Sequence, residues 1–296
     1  MFGREVADPA VGGRLAHLAK RNKVAIMVSN ESLSALEWFR IETGFPDGTG
    51  VNYNDVVRRI YDALFELNVE CDFLPVDAPS ERFAQYRMII TPALYSVPEK
   101  TIAHLRGFVE SGGHLVSTLR SFVTDDEVTV WHDRAPHNLT DVFGLTYNQF
   151  TRPKGRVPVR FGSGAALAGV ADTQAETLIE LLKADADTEV LAYYGHYAWQ
   201  EYAAVTRHGF GRGSAEWIGT LLDADTMRAV LREAVAHAGL ETPGMALAGQ
   251  VAVRQGVNPA GETVTYLLNY SAEPVTVASP AAGTVVVAPQ DRKSVV

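Results

Sequence analysis

Asn30 and Glu31 follow directly on an apolar run, residues 23–29 (KVAIMVS), and an Asn-Glu pair at a strand end is an arrangement in which a carboxylic acid can protonate a glycosidic oxygen. Such a site needs a partner carboxylate about 5 Å away on another strand, and a barrel to bring it there. Only 29 residues precede Asn30, too few for the upstream strands of that barrel, so the pair is expected to serve a loop or a helix cap. A nucleophilic cysteine would need a strained strand-to-helix turn and a nearby base. Cys71, the one cysteine, lies early within the alternating run V69-E70-C71-D72-F73-L74 and is expected to face the packed side of a strand as a small hydrophobe. No Gly-x-Ser-x-Gly turn occurs, and Ser111-Gly112-Gly113 precedes a strand where a serine elbow would follow one. Gly209-Phe210-Gly211-Arg212-Gly213 has the glycines of a phosphate cradle, but a strand follows rather than a helix, so a hairpin is expected. His132, Asp133 and His137 are metal-ligand types, yet Arg134 sits among them, Pro136 breaks the register and no further His or Cys group completes a shell. A structural or interface loop is expected there, with no metal and no cofactor.

These residues sit in a chain of 296 residues that is 47% hydrophobic and 21% charged, enough apolar material for one large domain and a smaller companion. Its 26 Lys and Arg against 35 Asp and Glu give a net charge of -9, with the basic residues scattered singly, which argues against a nucleic-acid partner. A lone cysteine cannot form an internal disulfide and fits a reducing compartment. The first residues, MFGREVAD, carry an early acid and no apolar core, and no later stretch reaches the roughly 18 apolar residues of a membrane span. A cytoplasmic protein without a membrane partner is the expectation.

A helix is expected over residues 11–19, then strands at 23–29, 69–74, 87–91 and 114–118, with helices over 54–67 and 98–111 between them. Pro98 suits the first turn of its helix and Gly112-Gly113 its C-terminal cap. This alternation predicts an open α/β sheet with right-handed crossovers. From 122 to 158 the periodicity fades into a long loop, broken by a short helix at 139–143, and loops of that length are usually functional or contact-making. Beyond it the pattern predicts a helix over 174–183, strands at 189–194, 202–206 and 214–219, and a helix over 223–238. Short strands at 250–254, 263–269, 275–277 and 284–287, with no helices between them, predict a small antiparallel unit.

Taken in order, residues 23–31 (KVAIMVSNE), 86–95 (YRMIITPALY), 108–118 (FVESGGHLVST), 132–137 (HDRAPH) running on to 143–147 (FGLTY), and 204–213 (AVTRHGFGRG) resemble the non-barrel part of glycoside hydrolase family 42 β-galactosidases, across nearly the whole chain. The resemblance implies a flavodoxin-like, class I glutamine-amidotransferase-like three-layer sandwich whose nucleophile has been lost, followed by a small C-terminal antiparallel β domain. On that basis residues 1–22 are a connector from a missing barrel, 23–242 a trimerisation domain and 243–296 the small β domain. The family's two catalytic glutamates lie on barrel strands, so no position here inherits them, Glu31 included. The implied role is non-catalytic: a homotrimer-forming region beside a β-galactosidase barrel, with galactosides hydrolysed with retention only by the complete enzyme. Trp131, His132, Arg134 and His137 have the composition of a subunit contact. Residues 291–296 (DRKSVV) lack the closing apolar strand expected of the β domain, as if truncated or foreign. Two other readings are an amidotransferase-like enzyme with an unrecognised site, and a carbohydrate-binding module using Trp38, Trp131, Trp199 and Tyr202.

Overall fold

The computed structural model describes residues 9–41, 51–162, 166–167, 169–175, 178–280 and 282–283. The chain divides into two compact units, a larger one of residues 23–63 and 71–240 and a smaller one of 1–22, 64–70 and 241–296. Helix α1 (Pro9–Leu15) belongs to the smaller unit, and β1 (Val24–Val28) opens the larger. Then follow α2 (Asn30–Trp38), α3 (Tyr53–Glu66), β2 (Cys71–Pro75), the single turn α4 (Ser80–Phe83), β3 (Met88–Thr91), α5 (Glu99–Glu110) and β4 (His114–Thr118). The next stretch holds the short elements α6 (Thr140–Phe143), β5 (Leu145–Thr146) and β6 (Phe150–Thr151), with β7 (Val157–Phe161), β8 (Thr173–Ala175), β9 (Ile179–Glu180) and β10 (Lys183–Ala184) after them. β11 (Glu189–Tyr194), β12 (Ala203–Phe210), β13 (Gly213–Ile218) and α7 (Ala224–His237) complete the unit.

Nine of these strands form one sheet in the order β2-β1-β3-β4-β13-β12-β11-β7-β8. Pairing is parallel from β2 to β13 and antiparallel from β13 to β8. The continuous apolar runs of β1 and β3 are explained by burial on both faces: Ala25, Ile26, Met27, Met88, Ile89 and Ile90 have no exposed surface. Ser29, rather than Asn30 or Glu31, caps α2 by accepting from the Ser32 N–H at 2.9 Å, and Asn30 and Glu31 form the first helical turn. Asp223 caps α7 in the same way, accepting from the Thr226 N–H at 3.0 Å. The glycine-rich segment is a hairpin: Gly211 (φ +59°) turns β12 into β13, where a Cβ would come within 2.7 Å of the Glu110 backbone.

Several expectations need correction. No helix spans 174–183; β8, β9 and β10 lie there, each paired to a different strand, β7, β6 and β5. The helical spacing of Leu178, Leu181 and Leu182 is overridden because Ile179 and Glu180 are buried as well, leaving no solvent face for a helix. Cys71 is only half-buried, since β2 is the edge strand of the sheet. Pro98 is the N-cap of α5 rather than its first helical residue. The polar, Gly-rich stretch 43–50, expected from the sequence to be a loop, lies outside the described residues.

In the smaller unit the first helix is Pro9–Leu15, shorter than the expected 11–19. A 3-10 turn (Pro243–Leu247) leads to an antiparallel pair, β14 (Ala252–Val257) and β15 (Thr263–Leu268). Leu247, Val251 and Val253 form its core. Val275 and Val277 pack against that core without forming the expected strand, while 284–287 and 291–296 lie outside the described residues. Asn68, in left-handed backbone (φ +59°), donates to the carbonyls of Gly244 (3.0 Å) and Val251 (2.9 Å) and accepts from the Val253 N–H (2.9 Å). None of the described helices is long and apolar enough to cross a membrane.

Candidate functional site

Three places in the larger unit gather polar chemistry. In the loop after β4, the Trp131 ring lies flat on the His137 imidazole, centroids 3.7 Å and planes 7° apart. His137 reaches Asp133 Oδ1 through Nδ1 (2.6 Å) and Glu99 Oε2 through Nε2 (2.7 Å). Two ring nitrogens facing two carboxylates can both donate only as the imidazolium. Burial raises the Asp133 carboxyl, but the hydrogen bond and charge of His137 outweigh it and hold the group below the usual range. Arg106 clamps both Asp141 oxygens at 2.9 and 2.6 Å and donates to the Asn138 carbonyl at 3.1 Å, tying the loop to α5.

The four residues expected at a subunit contact therefore divide. Trp131 and His137 form the packed base of the loop. His132 and Arg134 are exposed and make no hydrogen bond or ion pair to another described residue. Of the His-Asp-His trio only Asp133 and His137 meet, and both nitrogens of His137 are occupied. Among the described residues no group of three His, Cys, Asp or Glu is placed to hold a metal.

The second place is the sharp turn directly after β4, where Arg120 (φ +65°) and Phe122 (φ +59°) adopt left-handed backbone. A strained turn at the end of a parallel strand is where an α/β enzyme would hold its nucleophile. Here the guanidinium of Arg120 lies 4.8 Å from the ring centres of both Tyr95 and Phe150. Glu180, 1% exposed, accepts from the Arg120 N–H (2.7 Å) and from Trp217 Nε1 (2.9 Å). Burial pushes its carboxyl up to about 7 against those two hydrogen bonds and the charge of Arg120. A carboxyl whose two oxygens are engaged by an amide and an indole fixes the turn rather than meeting a substrate.

The third place lies at the opposite end of the same strand. His114 Nδ1 meets Ser214 Oγ at 2.8 Å, and Ser214 Oγ meets His237 Nε2 at 3.0 Å. Fully buried Glu216 accepts from Arg207 Nε (2.7 Å) and lies 3.2 Å from His114 Nε2, while Arg207 also pairs with Glu233. Strand register explains the grouping: Ser214 and Glu216 share one face of β13, and His114 sits opposite Ser214 on β4. A pocket of about 470 Å³ opens over His114, Ser214, His237 and Arg207, with Arg87, Arg212, Asp187 and Glu189 also in its wall. The alternation Ser214-Ala215-Glu216 was the available signal, and it gains meaning only once β4 is known to be the neighbouring strand.

The other sequence candidates do not assemble. The Glu31 carboxylate accepts from Ser29 Oγ (3.0 Å) within the cap of α2. Cys71 pairs with Val24 along the sheet edge. No described ring contact joins any two of Trp38, Trp131, Trp199 and Tyr202; Trp199 stacks on His196 (4.2 Å) and Trp38 stands 86% exposed.

The sequence profile of the family described as β-galactosidase trimerisation domain matches residues 22–241. The chain belongs to this family. Among relatives of this trimerisation domain, it is 27% identical over 264 residues to β-galactosidase BgaP of Planococcus sp. (strain L4), covering 88% of the present chain and 37% of that protein. Against β-galactosidase BglY of Alicyclobacillus acidocaldarius the identity is 28% over 239 residues, covering 78% and 34%. The chain thus spans little more than a third of the relatives it matches. Its fold resembles the crystal structure of β-galactosidase from Bacillus circulans sp. alkalophilus, with TM-score 0.75, 24% identity, and coverage of 88% of this chain and 37% of that one. The cold-adapted β-galactosidase from Rahnella sp. R3 gives TM-score 0.74 at 23% identity, covering 86% and 36%.

Proposed function

We propose that this chain is the assembly region of a β-galactosidase, joining copies of itself into a homotrimer and packing beside a catalytic barrel, while contributing no residue to glycosidic cleavage. The observation that carries this reading is the trimerisation-domain match over residues 22–241, in a chain that spans about 37% of its relative BgaP. On the same reading residues 1–22 are a connector from the barrel, 23–242 the assembly domain and 243–296 a small β domain. The β2-β1-β3-β4 parallel order with helical crossovers supports the flavodoxin-like, amidotransferase-like description of the sandwich. Galactosides are then substrates of the complete enzyme, and the cytoplasm is its compartment, in keeping with one half-buried cysteine.

His132 and Arg134 stand outward on a base stiffened by the Trp131–His137 stack, a geometry suited to contact with a second copy. Light scattering is expected to give the mass of three copies, and a His132→Glu, Arg134→Glu double variant to lower it without changing the circular dichroism. An unchanged mass in the variant would remove the loop from the interface. Turnover of a chromogenic β-galactoside by the isolated chain at enzymatic rates would overturn the non-catalytic reading.

A further inference from the structure

We propose that Ser214, His114 and Glu216 form a serine acyl-transfer site that accepts small activated carboxylic esters, separate from the assembly role and from any glycosidic chemistry. The geometry runs in one direction. Ser214 Oγ is 2.8 Å from His114 Nδ1, and the other nitrogen of that ring is 3.2 Å from Glu216 Oε1. His114 is 3% exposed, and its Nε2 has no hydrogen bond in good alignment, so the ring is poised beside the carboxylate rather than locked to it. Resting-state catalytic hydrogen bonds are often loose in this way and tighten with substrate.

His237 is the second partner of the Ser214 hydroxyl, and burial is the first cause that keeps its imidazole below the ordinary histidine range. With its proton on Nε2, His237 donates to Ser214 Oγ, and the serine proton is then free to point at His114 Nδ1. Glu216 is buried, but His114 and Arg207 hold its carboxyl below the usual range, which keeps the charge that would steady an imidazolium at His114.

Access separates this arrangement from a purely structural cross-link. Ser214 is half-buried, and the pocket above it is lined by Gly112, Gly113, Gly209 and Gly213; a Cβ on Gly209 would meet nothing within 4 Å. Arg87, Arg207 and Arg212 line the same space together with Asp187 and Glu189, so cationic donors for an acyl oxygen that becomes negative are present in the wall. In the reaction Ser214 Oγ bonds to the acyl carbon, the ester C–O bond breaks, and the serine proton passes through His114 to the departing alcohol. Water then attacks the acyl-serine, gives one proton back through His114 to Ser214 and releases the acid.

The test uses the intact chain and a fluorophosphonate probe, which places phosphorus on a nucleophilic serine with loss of fluoride. Peptide mapping by mass spectrometry is expected to find the label on Ser214, with labelling slowed on the order of 100-fold in His114→Gln. Hydrolysis of p-nitrophenyl butyrate is expected to fall to the uncatalysed rate in Ser214→Ala. A folded native chain that takes no label at Ser214 overturns the proposal whatever the variants do. So does labelling that is equally fast in folded His114→Gln.

Discussion

Strand β4 has polar chemistry at both ends, and the two ends are built in opposite ways. Beyond its last residue, Arg120 is wedged between two aromatic rings, and the carboxyl that steadies its backbone has both oxygens engaged. At its first residue, His114 faces a half-buried hydroxyl beneath an open pocket. Ligands of open α/β sheets bind outside the carboxyl ends of the strands. Among the described residues the turn beyond the carboxyl end of β4 is filled by the Arg120 side chain, and the pocket over His114 and Ser214 lies at the amino end. The left-handed turn after β4 ties that strand to its surroundings through Arg120 and Glu180.

That contrast can be broken at either end. The largest effect is expected at Glu180, whose folded value of about 7 lies above its ordinary 4.5. Between those values the folded chain holds a proton that the unfolded chain has released. The stability linked to this group is therefore complete below about pH 4.5 and lost as pH rises through about 7, with a span of about 3 kcal/mol. Urea midpoints measured from pH 4.5 to 8 are expected to show this slope in the native chain and to lack it in Glu180→Gln. Equal slopes would mean that the closed end is not held by a buried carboxyl. At the open end, Gly213→Ala forces a methyl against the Gly113 carbonyl and is expected to cost about 2 kcal/mol at all pH values, read as a lower urea midpoint with no added pH slope. The smallest change is expected away from both ends, in Asp133→Asn. Asp133 is held below its usual range, so its contribution is present above the ordinary carboxylate pKa and lost as pH falls through the depressed value. Being largely open to solvent, it is worth less than about 1 kcal/mol, and 0.5 M salt should erase most of the difference between variant and native chain.

What the sequence made legible was local. The apolar runs of β1 and β3 marked buried parallel strands, and Gly211 marked its turn, because burial on two faces and a left-handed backbone each leave a trace within a few residues. Residues 174–183 show the limit: Leu178, Leu181 and Leu182 keep a helical spacing that the structure does not use, since three different partner strands claim this stretch. Glu180 read as one acid on a helix and is the buried anchor of a turn 60 residues away. Ser214 and His114 stand 100 positions apart and meet only through strand register. Of the predicted loop cluster, Trp131 and His137 were found together because the five residues between them close a short turn, whereas Glu99, the second partner of His137, belongs to a helix that no local pattern could connect to it.

Asn68 bears on the order of events during synthesis. Its side chain is satisfied by Gly244, Val251 and Val253, up to 185 residues downstream, and Tyr266 donates back to the Leu15 carbonyl across 251 residues. A ribosome delivering this chain has released Asn68 and Leu15 long before their partners exist. The smaller unit is thus the last to close, and a chain cut anywhere before residue 250 leaves the Asn68 amide without its furthest acceptor.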